Sequence, residues 1–460
     1  KLKDNSLQEL NNVYPYFKKY GFLLLILIPL LLNFYLRLQA AELPVTDIWA
    51  RDTIINNLRS EVQRQVNQEF PNLPEANKAP IINERIGNTI SRNKAQYDTA
   101  IQQLSAQFKA QMKDDRGTTY LIGIDPYFWA RHAKNILERG HPGDTLVDGE
   151  WYDTHMLAPE GRVVPPDMFH SYFLAYSYKL AKTFNPGVTI EAVTFYNPAV
   201  LMGIATILAF FIGRRIGGNI TGFFASAIIA VHGAVLVRTI GGFSDTDPYQ
   251  ILFPILILWV FLESFNVWFH AKHFWIKPLL PILAGFLVGF YSFVWGGWWY
   301  ILLFMVTSGG IYLLLYFPQA WKLEKFKGLY SGTQFSAVLG ALFLILITAG
   351  VSLSIFSGPQ KILQLGQFVQ GFIEIHEVEI ANVWPNVYIT VAEQNEGTIQ
   401  SAISAIGGKF LFYFSILGIL LPLLFRKVRH DLSIDIKYPI ILVIWLATTM
   451  WAVTRGIRFT

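Results

Sequence analysis

The 460-residue chain contains no cysteine, and only 15% of its residues are Asp, Glu, Lys or Arg. Without cysteine there are no disulfides, thiol nucleophiles or cysteine-ligated metals, and the compartment is left open. A soluble domain carries about a quarter charged residues. Here 53% of residues are hydrophobic and the mean hydropathy is +0.36. The missing charge is concentrated in long apolar runs, which excludes an ordinary soluble globule and indicates a polytopic membrane protein. Lys and Arg exceed Asp and Glu by 37 to 32, a formal charge of +5. Many of these bases sit in short loops between apolar runs, where they set orientation in the bilayer, so no nucleic-acid partner is expected.

The polar segment 1–20 is followed by an apolar run at 21–41, long enough to span about 30 Å of hydrocarbon. Residues 42–191 are polar, with helical spacing at 50–69 and 79–115 interrupted by PNLPEANKAP, which predicts a solvated helical hairpin. Its second arm as one helix would reach about 55 Å. Apolar runs then recur through 192–356, with a polar interruption at 238–248, and again within 409–460 after a polar stretch at 357–408. The pattern predicts an all-α, polytopic membrane helical bundle of about nine spans with large external loops. Lys18, Arg214, Lys272, Lys322 and Arg426 lie in alternate loops, which places the N-terminus in the cytoplasm and 42–191, 238–248 and 357–408 on the outer face.

The unusual residues collect on that outer face. Asp125 stands in GIDPYFWARHAKN, Asp245 and Asp247 in RTIGGFSDTDPY, and Glu393 in TVAEQNE. Carboxylates beside a membrane are costly unless paired or bound to a cation. A hard divalent cation takes oxygen ligands that separate loops can supply, which makes Asp125, Asp245 and Glu393 candidate metal ligands. Each alone also fits a solvated loop acid, and Asp-X-Asp is a short, common pattern. Arg238 precedes the second motif, and Arg455 and Arg458 lie in the terminal RGIRFT. Guanidinium forks beside a cation suit a phosphate or pyrophosphate; the alternative is headgroup snorkelling, above all for Arg455. His155, in WYDTHMLAPEGR, is a further candidate for a metal or phosphate contact, or an ordinary solvated loop histidine.

The order of an early loop Asp, R-T-x-x-G-x-x-D-T-D, T-V-A-E and R-G-x-R-F-T resembles the catalytic subunit of oligosaccharyltransferase, and IDPYFWARHAKNIL with DTHMLAPEGR resembles its archaeal branch. The resemblance implies a GT-C-like glycosyltransferase architecture in the cell membrane, multi-pass, with the active face outside. It implies transfer of a preassembled glycan, with inversion, from a dolichyl phosphate or pyrophosphate carrier to Asn in an Asn-X-Ser/Thr acceptor protein. Asp125, Asp245 and Glu393 would hold Mn²⁺ or Mg²⁺, with Asp247 in or beside that shell, and the ion would neutralise the leaving phosphate. Arg458 would grip that phosphate and Arg238 would order the second motif. Asp125 and Glu393 would accept from the two N–H groups of the acceptor amide.

Two departures accompany the resemblance. Fewer spans separate the second acidic motif from Glu393 than the family has. Its Trp-Trp-Asp-Tyr-Gly element does not occur, so the soluble acceptor-recognition domain is expected to be absent or a separate partner. Two other readings fit the same residues: a membrane glycosyltransferase using a polyprenyl-phosphate sugar and another acceptor, and a secondary transporter. The second calls for matched, broken helices in two halves, and no internal repeat is visible.

Overall fold

A computed structural model describes residues 20–270, 274–323, 334–367, 370, 397–425 and 437–455. Its described elements are mostly helices. The first, α1 (Phe22–Leu38), turns Leu23, Leu27 and Leu31 outward while Asn33 and Arg37 are wholly buried. Those two polar groups are four residues apart, on one face, and both bond across the bundle. Asn33 Nδ2 donates to the Ala199 carbonyl at 3.0 Å, and Arg37 Nη1 to that of Ala230 at 2.8 Å.

An arm follows, made of α2 (Val45–Glu69), α3 (Glu75–Arg92) and α4 (Lys94–Gln111). Val62 and Val66 pack on Ile82 and Ile86, and Arg85 forks onto Glu69 at 2.9 and 2.6 Å. Nearer the base, Trp49 meets Phe108 edge-on and Thr46 Oγ1 lies 2.9 Å from Ser105 Oγ. The expected hairpin thus has a return arm of two helices, broken at Asn93 (φ −119°, ψ 31°). A straight return arm of about 55 Å would overshoot α2, whose 25 residues reach about 37 Å; the break lets both halves stay packed on it.

Helix α5 (Asp125–Arg139) leads into a small antiparallel sheet, β1 (Thr145–Val147), β2 (Glu150–Asp153) and β3 (Arg162–Val163), in that order, which the all-α expectation did not include. Helix α6 (Phe169–Phe184) precedes the 42-residue α7 (Ile190–Val231), then α8 (Gly233–Val237), α9 (Asp247–His270), α10 (Leu279–Val294), α11 (Trp299–Leu323) and α12 (Gln334–Ser357). After the short α13 (Gln360–Leu363) come α14 (Ile399–Ile406), α15 (Lys409–Phe425) and α16 (Lys437–Arg455). One large core joins α7, α9, α10, α11, α12 and α16 through residues such as Met202, Phe261, Tyr291, Met305, Ile345 and Ile441.

Among the described residues four helical segments are long and apolar enough to cross a membrane: Phe22–Glu42, Ile190–Val231, Asp247–Phe265 and Val338–Ser357. The pair Ile399–Ile406 and Lys409–Leu421, bent by 89°, makes a fifth if it is one span. This is fewer than the nine runs read from the sequence. The runs at 192–213 and 220–237 fall largely within α7, which leaves helical geometry at Gly217 and Gly218. Leu279–Val294, Trp299–Leu315 and Tyr438–Val453 are shorter apolar helices. Sixteen residues, as in α10, rise about 24 Å, less than the hydrocarbon thickness.

Candidate active site

Asp125 is the first residue of α5, exposed, with Pro126 behind it. Proline is preorganised for a first helical turn, and an acid there meets the positive end of the helix dipole. The approach to this helix is fixed from outside: the Ile122 N–H donates to the Gly242 carbonyl at 2.9 Å, and the Tyr127 hydroxyl accepts from the Leu121 N–H at 3.1 Å.

The second motif is an irregular loop between α8 and α9, satisfied by its neighbours at each step. The Gly241 N–H donates to the Arg37 carbonyl and the Gly242 N–H to that of Phe195, both at 2.9 Å. Gly242 has φ +89°, and a Cβ there would lie 2.8 Å from the Phe195 ring, so glycine is required twice over. Ser244 is fully buried, Asp245 half-buried, and Asp247 opens α9 with 9% exposure. Arg238 Nη1 lies 4.0 Å from Asp247 Oδ2.

The two motifs therefore meet. Besides the backbone bond from Ile122 to Gly242, Trp129 on α5 donates its indole N–H to Asp245 Oδ1 at 2.8 Å. Behind them His170, from α6, is wholly buried, with Nδ1 2.9 Å from the Tyr249 hydroxyl and Nε2 3.2 Å from Ser244 Oγ. Burial pulls this imidazole down to about 4, against the opposing influence of the Asp245 carboxylate and of the bond at Ser244, so it is neutral at pH 7.

Other expected site residues fall elsewhere. Glu393 and Arg458 lie outside the described residues, as does the side chain of Arg455, the last residue of α16. His155 joins a second charged cluster. Arg131 donates from Nη1 to both oxygens of Asp144 (2.8 and 2.7 Å) and from Nη2 to Asp153 Oδ2 at 2.6 Å. His155 Nδ1 is 3.2 Å from Asp144 Oδ2, and the buried His132 lies between the Pro142 carbonyl (2.6 Å) and Asp153 Oδ2 (3.0 Å). Burial works against the charge on Asp144, but bonds from Asn135, the Thr154 N–H, Arg131 and His155 outweigh it and hold the carboxyl well below the usual range.

Among the described residues, the metal-ligand atoms within 4.8 Å of one another belong to Asp144, Asp153 and His155, rather than to Asp125, Asp245 and Asp247. The first group is a poor cation site, because a guanidinium already bridges both carboxylates. The second has the better donor chemistry. Carboxylates on adjoining elements repel and draw to ligand spacing only around a counter-charge, and both hydrogen bonds to Asp245, from Trp129 and from the Thr246 N–H at 2.6 Å, end on Oδ1.

Sequence reasoning passed over Trp129, His170, Arg37, Arg131 and His132. For Arg37 a signal existed: Asn33 and Arg37 are an i,i+4 polar pair on an otherwise apolar span. For Trp129 it was weaker, a Trp one turn after a flagged Asp whose N–H needs a partner once buried.

Apolar helices supporting a loop cluster of acids and arginine define a membrane protein with a polar site built between its loops. The family described as oligosaccharyl transferase STT3, N-terminal, matches residues 99–460, and the chain belongs to that family. It is 29% identical to a dolichyl-phosphooligosaccharide-protein glycotransferase of Methanococcus voltae, over 77% of this chain and 41% of the relative. Identity is also 29% to that of Methanocaldococcus jannaschii, over 76% of this chain and 45% of the relative. The chain thus spans less than half the length of these relatives. Among solved structures it is similar, at 19% identity and a TM-score of 0.47 over 74% of this chain and 45% of the other, to the Archaeoglobus fulgidus archaeal oligosaccharyltransferase AglB in complex with an inhibitory peptide and a dolichol-phosphate. The family resemblance read from the motifs, including its archaeal type, is borne out.

Proposed function

We propose that this chain forms the membrane part of an oligosaccharyltransferase, a glycosyltransferase that moves a preassembled glycan from a dolichyl phosphate or pyrophosphate carrier to Asn in Asn-X-Ser/Thr acceptors. The observation that carries this reading is the docking of the two acidic motifs: Trp129 on Asp245 at 2.8 Å and Ile122 on Gly242 at 2.9 Å, in a chain of this family. Membership and the names of its relatives support the lipid-linked donor and the peptide acceptor.

In this reading Asp125, Asp245, Asp247 and Glu393 hold a divalent cation, Mn²⁺ or Mg²⁺. Once bound, that ion supplies Lewis-acid neutralisation of the leaving phosphate. Arg238 keeps Asp247 in register through their ion pair. Arg458, with Arg455 near it in sequence, grips the carrier phosphate, and His155 flanks the donor. Asp125 and Glu393 accept from the two N–H groups of the acceptor amide, weakening the delocalisation that makes its nitrogen a poor nucleophile. Direct displacement at the anomeric carbon then inverts it. The site faces outward, and the chain crosses the membrane nine times, with α7 counted as two spans divided at Gly217 and Gly218.

The test is glycan transfer to a labelled Asn-X-Thr peptide in membranes that hold the natural full-length protein and its lipid-linked donor. Transfer should stop on chelation and return with Mn²⁺. Donor consumption without peptide labelling would assign another acceptor, and transfer indifferent to chelation would remove the metal from the mechanism.

A further inference from the structure

The hydrogen bonds at Asp245 are one-sided. Trp129 Nε1–H and the Thr246 N–H both end on Oδ1, at 2.8 and 2.6 Å, and among the described residues no donor reaches Oδ2. A carboxylate held by one oxygen has the direction of the other fixed, which is how groups behind a metal ligand orient it. The indole is itself constrained. Its ring meets His170 edge-on at 5.4 Å and Phe128 at 4.9 Å, and its backbone carbonyl accepts from Ser171 Oγ at 3.1 Å. His170 in turn reaches Ser244, the residue before Asp245, and Tyr249 on α9. Asp125 lies four residues before Trp129, one turn away on the same helix face, a separation of about 6 Å between Cβ atoms.

We infer that Trp129 is a positioning residue for a cation site: its indole N–H holds Oδ1 of Asp245 so that Oδ2 turns toward an ion shared with Asp125, and His170 holds the indole in place. This rests on the oligosaccharyltransferase reading above and adds to it a residue outside the acidic motifs. A Trp that merely filled space would keep its worth whatever stood at position 245. A Trp that acts through Asp245 loses its worth when that carboxylate is gone.

The experiment measures Mn²⁺ binding to the purified protein in nanodiscs, from the electron paramagnetic resonance signal of the free ion. The proteins are wild type, Trp129→Phe, Asp245→Asn and the double variant. Phenylalanine keeps an aromatic ring beside His170 and removes the N–H. Trp129→Phe should weaken Mn²⁺ binding about 10- to 100-fold, and adding it to Asp245→Asn should cause no further loss. Unchanged affinity in Trp129→Phe, or an equal factor in both backgrounds, overturns the inference. If Trp129→Phe does not fold, His170→Gln, which loosens the indole and leaves its N–H in place, gives the second reading: a several-fold weaker affinity supports the role and an unchanged one overturns it. Should the wild type bind no Mn²⁺, or Asp245→Asn bind it as the wild type does, the metal reading of the motif falls and takes this inference with it. Failure of the Trp129 variants alone removes only the positioning role.

Discussion

Arg37 and Thr239 meet across 202 positions of sequence, the guanidinium Nε donating to Thr239 Oγ1 at 3.0 Å. The same side chain donates from Nη1 to the Ala230 carbonyl near the end of α7, where the helix dipole is negative, and its own carbonyl accepts from Gly241. A wholly buried cation therefore ties α1, α7 and the loop bearing Asp245 into one unit.

Replacing that cation should loosen all three. Arg37→Met leaves the Ala230 carbonyl and Thr239 without their donor, at about 1–3 kcal/mol for each orphaned group. Arg37→Lys keeps the charge but cannot fork to both acceptors. In detergent the thermal unfolding midpoint should fall for both, further for Met; equal midpoints in all three proteins would show that the contacts carry no weight.

Two glycines with nearly the same backbone offer an internal control. Gly242 (φ +89°) faces Phe195, whereas Gly123 (φ +88°) has open space where a Cβ would stand. Gly123→Ala should cost about 1 kcal/mol of backbone strain, and Gly242→Ala about 1–3 kcal/mol more, because the ring must shift as well. The difference in unfolding midpoint between the two variants measures the closeness of α7 to the acidic loop.

Helices α10 and α12 approach through Gly285 and Gly289, where any Cβ would overlap Thr348 and Ser352, and Ser352 Oγ donates to the Gly285 carbonyl at 3.2 Å. This is small-xxx-small packing of a membrane bundle. Gly289→Val should force the pair apart and lower stability by about 1–3 kcal/mol or more, whereas Gly310→Ala on α11, with nothing near its missing Cβ, should be close to neutral. Comparable losses in the two would refute the packing assignment.

Acid stability should depend on Arg131. Asp144 has its pKa depressed in the fold, so its contribution is present above the unfolded carboxyl value of about 4 and is lost as pH falls through the lower folded value. His132, lowered chiefly by burial, likewise contributes above the unfolded imidazole value of about 6.5 and loses that contribution on acidification. Arg131→Met leaves the wholly buried Asp153 without its closest cation and lifts the folded values of Asp144 and Asp153 toward the unfolded one, so the variant should be less stable at pH 8 and its unfolding midpoint should fall less between pH 8 and pH 3 than that of wild type. Superimposable pH profiles would contradict this.

The sequence announced Asp125, Asp245 and Asp247 because acids at the ends of apolar runs are expensive and therefore conspicuous. Hydropathy also located the helices that form the large core. What it could not supply was the pairing. Trp129 and Asp245 are 116 positions apart, and periodicity reports which face of a helix is apolar, not which loop that face will meet. The break at Asn93 escaped for a related reason, since the sequence around it keeps its helical spacing and only the shorter partner, α2, makes an unbroken return arm too long. His155 looked isolated in its loop; its partners Asp144 and Arg131 come from another strand connection and another helix.

The arm of α2 to α4 departs and returns at a single clasp. Thr46 meets Ser105 at 2.9 Å, Lys109 lies 3.6 Å from Asp47, and Thr119 Oγ1 donates to the Ala41 carbonyl at 3.0 Å. The family match begins at residue 99, so most of the arm precedes it. With its two ends joined side by side, the arm is an exchangeable cassette. A change in its length or content beyond the clasp would leave the spacing of its two ends, and so the approach of the chain to Asp125, as it stands.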